Sequence, residues 1–206
     1  MASIGSLFKS STFYAIANLM QRGLAFLLIP MYTRYLSKAE FGAMDLLYQS
    51  IMILVIVASL GLPQGIVRGI YREDGKKEDL QALMGALVNF LLPLTIVITL
   101  VLYCFAPFWN KLLFKTQGQD VWIQLSALFF FSLILHQLPM QFLRATQQSA
   151  QYSTWSFFTF VLILGSNVYF IAYQKMGLIG VIWGNVFGYL SCAILDRKST
   201  RLNSSH

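Results

Sequence analysis

Residues 80–105 read LQALMGALVNFLLPLTIVITLVLYCF, a run without a single acidic or basic side chain. A transmembrane α-helix needs about 20 consecutive, mainly apolar residues to cross the hydrocarbon core of a bilayer. This run is therefore long enough to span a membrane. Five further apolar runs lie at Thr12–Tyr32, Ala43–Leu62, Val121–Leu143, Ser153–Tyr173 and Gly177–Leu195. The pattern predicts an all-α integral membrane protein with six transmembrane helices.

The composition supports this fold class. Hydrophobic residues make up 57% of the chain and charged residues 11%, whereas soluble domains have about 45–50% and about 25%. The net charge of +7 does not indicate nucleic-acid binding, because the basic residues lie between apolar runs, where they orient helices and contact anionic headgroups. We therefore expect membrane lipids, and no nucleic acid, as partners.

Loop charges indicate the orientation. The loop between the second and third runs carries Arg68, Arg72, Lys76 and Lys77. Because loops rich in Lys and Arg stay in the cytoplasm, we expect a multi-pass protein whose N-terminus is cytoplasmic.

The apolar pattern stops after Leu195, where residues 196–206 read DRKSTRLNSSH. We expect residues 1–195 to form a six-helix transmembrane lobe and residues 196–206 to be a non-native tail, so that the native protein continues beyond Leu195. A genuine short cytoplasmic tail is the alternative.

A polar stripe follows the first run. Tyr14, Asn18, Gln21 and Arg22 are spaced by three and four residues or adjoin, which puts them on one helix face. Strongly polar residues inside a membrane are costly and by default mark a functional face. We expect this stripe to line a water-filled cavity; alternatively, Arg22 snorkels to the interface or pairs with a structural acid.

Two more polar groups are candidates for binding. Gln137 and Gln141 lie one turn apart in the fourth run and lead toward Arg144. Arg68 and Arg72 are one turn apart if the second helix continues, and guanidinium groups match phosphate oxygens well, although ordinary anchoring at the cytoplasmic surface explains them equally. The candidate substrate-binding residues are thus Asn18, Gln21, Arg22, Arg68, Arg72, Gln137 and Gln141.

Other conspicuous residues receive structural interpretations. His136 in the fourth run is interpreted as a hydrogen-bonded packing residue rather than a proton relay. Gly180, Gly184 and Gly188 repeat every four residues, a strip of small residues that favours close helix contact.

The sequence contains no enzyme motif of the GxSxG, HExxH or Walker type. Cys104 and Cys192 have neither CxxC nor Cys/His spacing. We therefore predict that the protein is not an enzyme and has no catalytic residues, metal site or cofactor.

Several segments resemble a known family. Residues 28–37 read LIPMYTRYLS and residues 39–42 read AEFG; together they are similar to the segment that links the first two helices of the polysaccharide-biosynthesis flippases. These are the O-antigen and repeat-unit exporters of the multidrug/oligosaccharidyl-lipid/polysaccharide exporter superfamily. Residues 59–62 (SLGL), 66–68 (IVR) and 142–145 (FLRA) resemble the ends of that family's second and fourth helices.

The resemblance implies two six-helix lobes that face each other around a cavity, of which this chain supplies the N-terminal one. It implies translocation of a polyprenyl-diphosphate-linked oligosaccharide across the cytoplasmic (inner) membrane of a bacterium or archaeon by alternating access, for surface polysaccharides such as lipopolysaccharide. The implied partners are this lipid-linked substrate, the C-terminal lobe of the same protein or a second copy, and a polysaccharide polymerase.

On this hypothesis, Arg22 binds the diphosphate within the cavity and Arg68 receives it at the cytoplasmic mouth. Cationic side chains offset the cost of taking the diphosphate out of the headgroup region. The sugar passes the amide side chains Asn18, Gln21, Gln137 and Gln141.

Three alternatives stay open. A drug/cation antiporter of the same superfamily needs a deep carboxylate, for which Asp45 is the one candidate, near an interface. A peptidoglycan-precursor flippase would use similar chemistry. A non-transporting membrane scaffold subunit would not need the polar stripes.

Overall fold

The computed structural model describes residues 4–59, 77–115 and 118–203, and these residues are helical apart from short turns, with no strand among them. The helices are α1 (Ile4–Tyr35), α2 (Lys38–Ser59), α3 (Lys77–Cys104), α4 (Ala106–Phe114), α5 (Asp120–Ala145), α6 (Ser149–Asn167) and α7 (Gly177–Asn203). A π-helical segment, Val168–Tyr173, directly continues α6. The predicted all-α class is confirmed.

Four of the described helices are long and apolar enough to cross a membrane: Lys38–Ser59, Ala82–Cys104, Asp120–Ala145 and Ser149–Tyr173. They coincide with the second to fifth predicted runs. Over its described residues α1 does not meet the same criteria, and the apolar part of α7, Gly177–Cys192, is shorter than a full span. The chain is thus a multi-pass membrane protein by its helices, while the count of six spans and the second lobe stay predictions.

Two features differ from the sequence pattern. The short helix α4 follows α3 almost without a break, with a proline in its first turn; at about 14 Å it is too short to cross a bilayer. Helix α7 continues to Asn203, past Leu195, where the apolar pattern ends. The prediction that residues 196–206 are a non-native tail is not tested by this helix.

The chain forms two compact units, residues 43–134 and residues 1–42 with 135–206. In the second of these, α1 packs against α6, and α6 packs against α7. Tyr14 contacts Tyr152 near the start of α6, and Tyr32 contacts Asn167 at its end, so α1 and α6 run parallel. Parallel packing agrees with two helices that cross a membrane in the same direction.

Helices α6 and α7 approach closely along the glycine strip. A Cβ atom added to Gly184 would lie 2.8 Å from Asn167 Nδ2 and 3.0 Å from Asn167 Cα, and one added to Gly188 would lie 2.9 Å from Ile163 Cα. At Gly180 it would lie 2.9 Å from the carbonyl oxygen of Phe170 in the π-helical segment. The prediction that these glycines permit close helix contact is confirmed.

A capping box joins α1 to α2. The Ser37 amide and hydroxyl donate to Glu40 Oε2 at 2.9 and 2.8 Å, and the Glu40 amide donates back to Ser37 Oγ at 3.3 Å. This reciprocal pair satisfies amides at a helix start. The other carboxylate oxygen, Glu40 Oε1, accepts from the Leu178 amide at 3.3 Å, in the first turn of α7. Glu40 therefore caps α2 and also places negative charge at the positive end of α7.

Apolar side chains cover much of the outer surface of the described helices. In its most apolar window α5 is 61% buried, whereas the windows of α2, α3 and α6 are 22–28% buried. The exposed side chains on these three helices include Ile53, Ile56, Val57, Val97, Leu100, Phe157 and Phe158. Such surfaces suit contact with lipid, where apolar side chains need no partner from the protein.

We predict that Gly184→Ala destabilises the fold by about 1–3 kcal/mol, because its methyl group would overpack Asn167. Gly165→Ala is the matched control on α6, since an added Cβ there meets nothing within 4 Å. The measurement is thermal unfolding of both variants in the same detergent. Equal midpoints would contradict close packing at Gly184.

Removal of the capping carboxylate should also destabilise the chain. Glu40→Ala is expected to lower the unfolding free energy by about 0.5–2 kcal/mol, as for other helix caps. The control is Asp45→Ala, an exposed acid one turn farther along α2. Thermal unfolding measures both, and a loss as large for Asp45→Ala would point to helix charge in general rather than to the cap.

Candidate functional site

Arg144, in the last turn of α5, is held by Tyr152 of α6. Its Nη2 group donates to the Tyr152 hydroxyl at 2.5 Å, and its Cζ atom lies 5.0 Å from the centre of the Tyr152 ring. Tyr152 is 2% exposed, whereas Arg144 is exposed. A buried side chain therefore fixes the position of a cation at the surface of its unit.

Most of the donors of Arg144 stay available. A guanidinium group carries five N–H donors in a planar fork, and within the described part of the chain Tyr152 is the partner of Arg144. No carboxylate among the described residues forms an ion pair with it. Such an arginine suits an anionic ligand with several oxygens, because the fork can donate two parallel hydrogen bonds.

Tyr14 of α1 contacts Tyr152, the residue that holds Arg144. Its ring centre lies 5.2 Å from that of Tyr152, and Tyr14 packs against the buried cluster of Met140, Leu143 and Tyr152. The first residue of the α1 polar stripe therefore lies next to the side chain that holds Arg144.

The predicted binding residues are described to different extents. Asn18 is exposed, and Gln137 and Gln141 are half-buried; among the described residues none of the three has a side-chain hydrogen bond. For Gln21 and Arg22 the structure describes the backbone, which is part of α1, but not the side chains. Arg68 and Arg72 lie outside the described residues altogether. The described residues show no contact among the seven, and their assignment stays a prediction.

Helix geometry nevertheless gives their positions along α1 and α5. Helix α1 runs parallel to α6, since Tyr14 contacts the start of α6 and Tyr32 contacts its end. Helix α5 runs antiparallel to α6, since Arg144 contacts Tyr152 and the earlier residue His136 contacts Thr159. At 1.5 Å per residue, Asn18 is about 6 Å and Arg22 about 12 Å beyond Tyr14. By the same measure Gln141 is about 4.5 Å and Gln137 about 10.5 Å beyond Arg144. The two polar stripes thus extend over similar lengths of their own helices, counted from Tyr14 and from Arg144.

His136 lies in a buried hydrogen-bonded cluster between α5, α6 and α7. Its Nε2 atom is 3.0 Å from Thr159 Oγ1, which is also 3.0 Å from Cys192 Sγ, and its ring centre is 5.1 Å from that of Tyr189. This cluster agrees with the interpretation of His136 as a packing residue, because its partners come from two other helices.

Asn167 forms a second buried polar junction. It is fully buried, donates to the Ile163 carbonyl at 2.8 Å and accepts from the Tyr32 hydroxyl at 3.1 Å. Sequence reasoning gave no role to this residue or to Arg144. Two patterns in the sequence indicate them: Asn167 is an amide inside an apolar run, and Arg144 ends a polar stripe.

Among the described residues, no group of three or more His, Cys, Asp or Glu side chains is arranged to hold a metal ion. The arrangement offers hydrogen bonds and positive charge, which bind and orient an anion.

A family model described as polysaccharide biosynthesis protein matches residues 7–196, which is nearly the whole chain. Neither the curated proteins nor the solved structures contain a match.

We predict that Thr159→Val destabilises the chain by about 1–3 kcal/mol, because it leaves His136 without its buried partner. Thr154→Val is the matched control: Thr154 is an exposed residue of the same helix whose hydroxyl bonds only the Ala150 carbonyl. Thermal unfolding in detergent compares the two. If the control loses as much stability, the cluster has no special role.

Proposed function

Because the chain belongs to the polysaccharide biosynthesis protein family, we propose that it flips a polyprenyl-diphosphate-linked oligosaccharide across the cytoplasmic membrane. One observation carries the proposal: Arg144 is held by the buried Tyr152, keeps most of its donors without a partner among the described residues, and ends the polar stripe of α5. The substrate has an anionic diphosphate, a polar sugar and a long apolar tail, and each part needs a different surface.

The diphosphate meets Arg144 first. With the N-terminus in the cytoplasm, the end of α5 faces the cytoplasmic leaflet, where the substrate enters. A fixed guanidinium fork replaces part of the hydration that the diphosphate loses. As in the sequence-based hypothesis, Arg68 receives the diphosphate at the cytoplasmic mouth of the transporter and Arg22 binds it inside the cavity.

The sugar passes the amide side chains, and the tail stays in lipid. In this proposal the amide side chains of Asn18, Gln21, Gln137 and Gln141 donate and accept the hydrogen bonds that the sugar needs. The apolar tail stays in the lipid, which also contacts the exposed apolar surfaces of α2, α3 and α6. Rocking against a second lobe then alternates access between the two leaflets. No covalent step is involved.

The location of Asp45 favours this function over a drug/cation antiporter. An antiporter of this superfamily would need a carboxylate deep in the membrane. Asp45 is exposed in the second turn of α2, near the end of that span, whereas the polar stripe of α1 contains Arg22. A basic residue at depth repels cationic cargo and attracts an anion.

Binding of a short isoprenyl diphosphate to the chain in lipid nanodiscs tests the proposal. Arg144→Ala should weaken binding about 10–100-fold, as expected for the loss of hydrogen bonds to a charged group. Arg144→Lys should give an intermediate loss, because lysine keeps the charge but not the fork. Arg34→Ala, an exposed arginine in the last turn of α1, is the control and should bind normally.

A cellular assay then identifies the reaction. In the source organism, Arg144→Ala in the native gene should reduce surface polysaccharide while the protein is still inserted. Unchanged surface polysaccharide with lost peptidoglycan precursor export would favour a peptidoglycan-precursor flippase. Normal binding and normal polysaccharide in Arg22→Ala, Arg68→Ala and Arg144→Ala would refute the proposal and favour a scaffold subunit.

A further inference from the structure

Helix α4 exposes large apolar side chains together with lysines on one side, while the polar Asn110 is buried on the other. Its outer face bears Phe108, Lys111 and Leu112, and the flanking residues Phe105 and Lys115 are exposed as well. Phe105, Phe108 and Leu112 are 60%, 61% and 59% exposed. Spacings of three and four residues put Phe108, Lys111 and Leu112 on one side. We call these three residues, with the flanking Phe105 and Lys115, the basic apolar face. A helix on a water-exposed surface would turn its apolar stripe inward.

The opposite face is anchored to α5. Asn110 is 1% exposed and donates to Asp120 Oδ1 at 2.8 Å, and the rings of Phe114 and Trp122 meet edge to face with centres 5.8 Å apart. The orientation of α4 is therefore fixed from inside by a polar bond and an aromatic contact. The basic apolar face cannot turn inward without breaking both.

The basic apolar face continues the lipid-facing surface of α3. Val97, Leu100 and Tyr103 on α3 are exposed, and the exposed Phe105 is the single residue between the two helices. Apolar exposure thus runs without a gap from a membrane span onto α4, which is too short to span.

We propose that α4 lies in the headgroup layer of the bilayer and binds anionic phospholipid through Lys111 and Lys115. Phenylalanine and leucine side chains enter the boundary between headgroups and acyl chains, and lysine ammonium groups reach the phosphates. The face carries positive charge and no acid, which complements an anionic headgroup. A protein partner fits less well, because lysine is depleted in protein interfaces. The inference does not depend on the transported substrate.

Depth-dependent quenching in nanodiscs tests the location. A fluorophore is attached to Phe108→Cys in a Cys104→Ser background, where the remaining Cys192 is buried; Leu100→Cys, within α3, is the depth control. We expect lipids with a nitroxide at the headgroup to quench the Phe108 label more than lipids with a nitroxide deep in the acyl chain, and the reverse at Leu100. Quenching by aqueous iodide alone, or by no quencher because another protein surface covers the face, would overturn the proposal.

A second arm tests the lipid charge. Quenching of the Phe108 label by nitroxide-labelled phosphatidylglycerol is compared with that by labelled phosphatidylcholine. The preference for the anionic lipid should fall about fivefold for each lysine in the K111E/K115E variant, and K111R/K115R should keep it. An unchanged preference in K111E/K115E would overturn the assignment of the lysines.

Discussion

The close approach of α6 and α7 at Gly184 is the contact on which the geometry of its unit depends. Because this glycine has no side chain, the two backbones approach so closely that an added methyl group would overlap Asn167. Asn167 is thereby buried beside α7. Asn167 then accepts a hydrogen bond from Tyr32, which fixes one end of α1 against α6. The other end is fixed by Tyr14 on Tyr152, and Tyr152 in turn holds Arg144. A series of contacts therefore connects Gly184 to Arg144, the candidate binding arginine.

The turn between α1 and α2 has a physical reason for its sequence. The residues LSKAEFG place a serine at the start of α2 and a glutamate three residues later, and the glutamate serves two helices at once. A motif that looks like a family signature is thus a device that joins the start of α2 to the start of α7. Gly177, with a φ angle of +57°, gives the chain the left-handed turn that brings the Leu178 amide to this carboxylate.

Much of the fold follows from the sequence, because membrane spans are read from continuous apolar runs. The second to fifth runs, the glycine strip and the buried role of His136 could all be predicted from periodicity and polarity. Helix α4 was missed because its apolar residues merge with the end of the third run, and only three-dimensional packing shows that Asn110 points inward. Arg144 was given no binding role because its holder, Tyr152, is on another helix, and a sequence does not specify contacts between helices. The assignments of Arg22 and Arg68 depend on residues whose side chains the structure does not describe.

The bond between Tyr32 and Asn167 joins residues 135 positions apart, and this separation has a consequence for biosynthesis. At about 5–20 residues per second, a ribosome needs roughly 7–27 s after it has added Tyr32 before it adds Asn167. Throughout that interval Tyr14 and Tyr32 have no α6 to contact, because Tyr152 and Asn167 are not both present. The first helix therefore reaches its final packing only after most of the chain has been made.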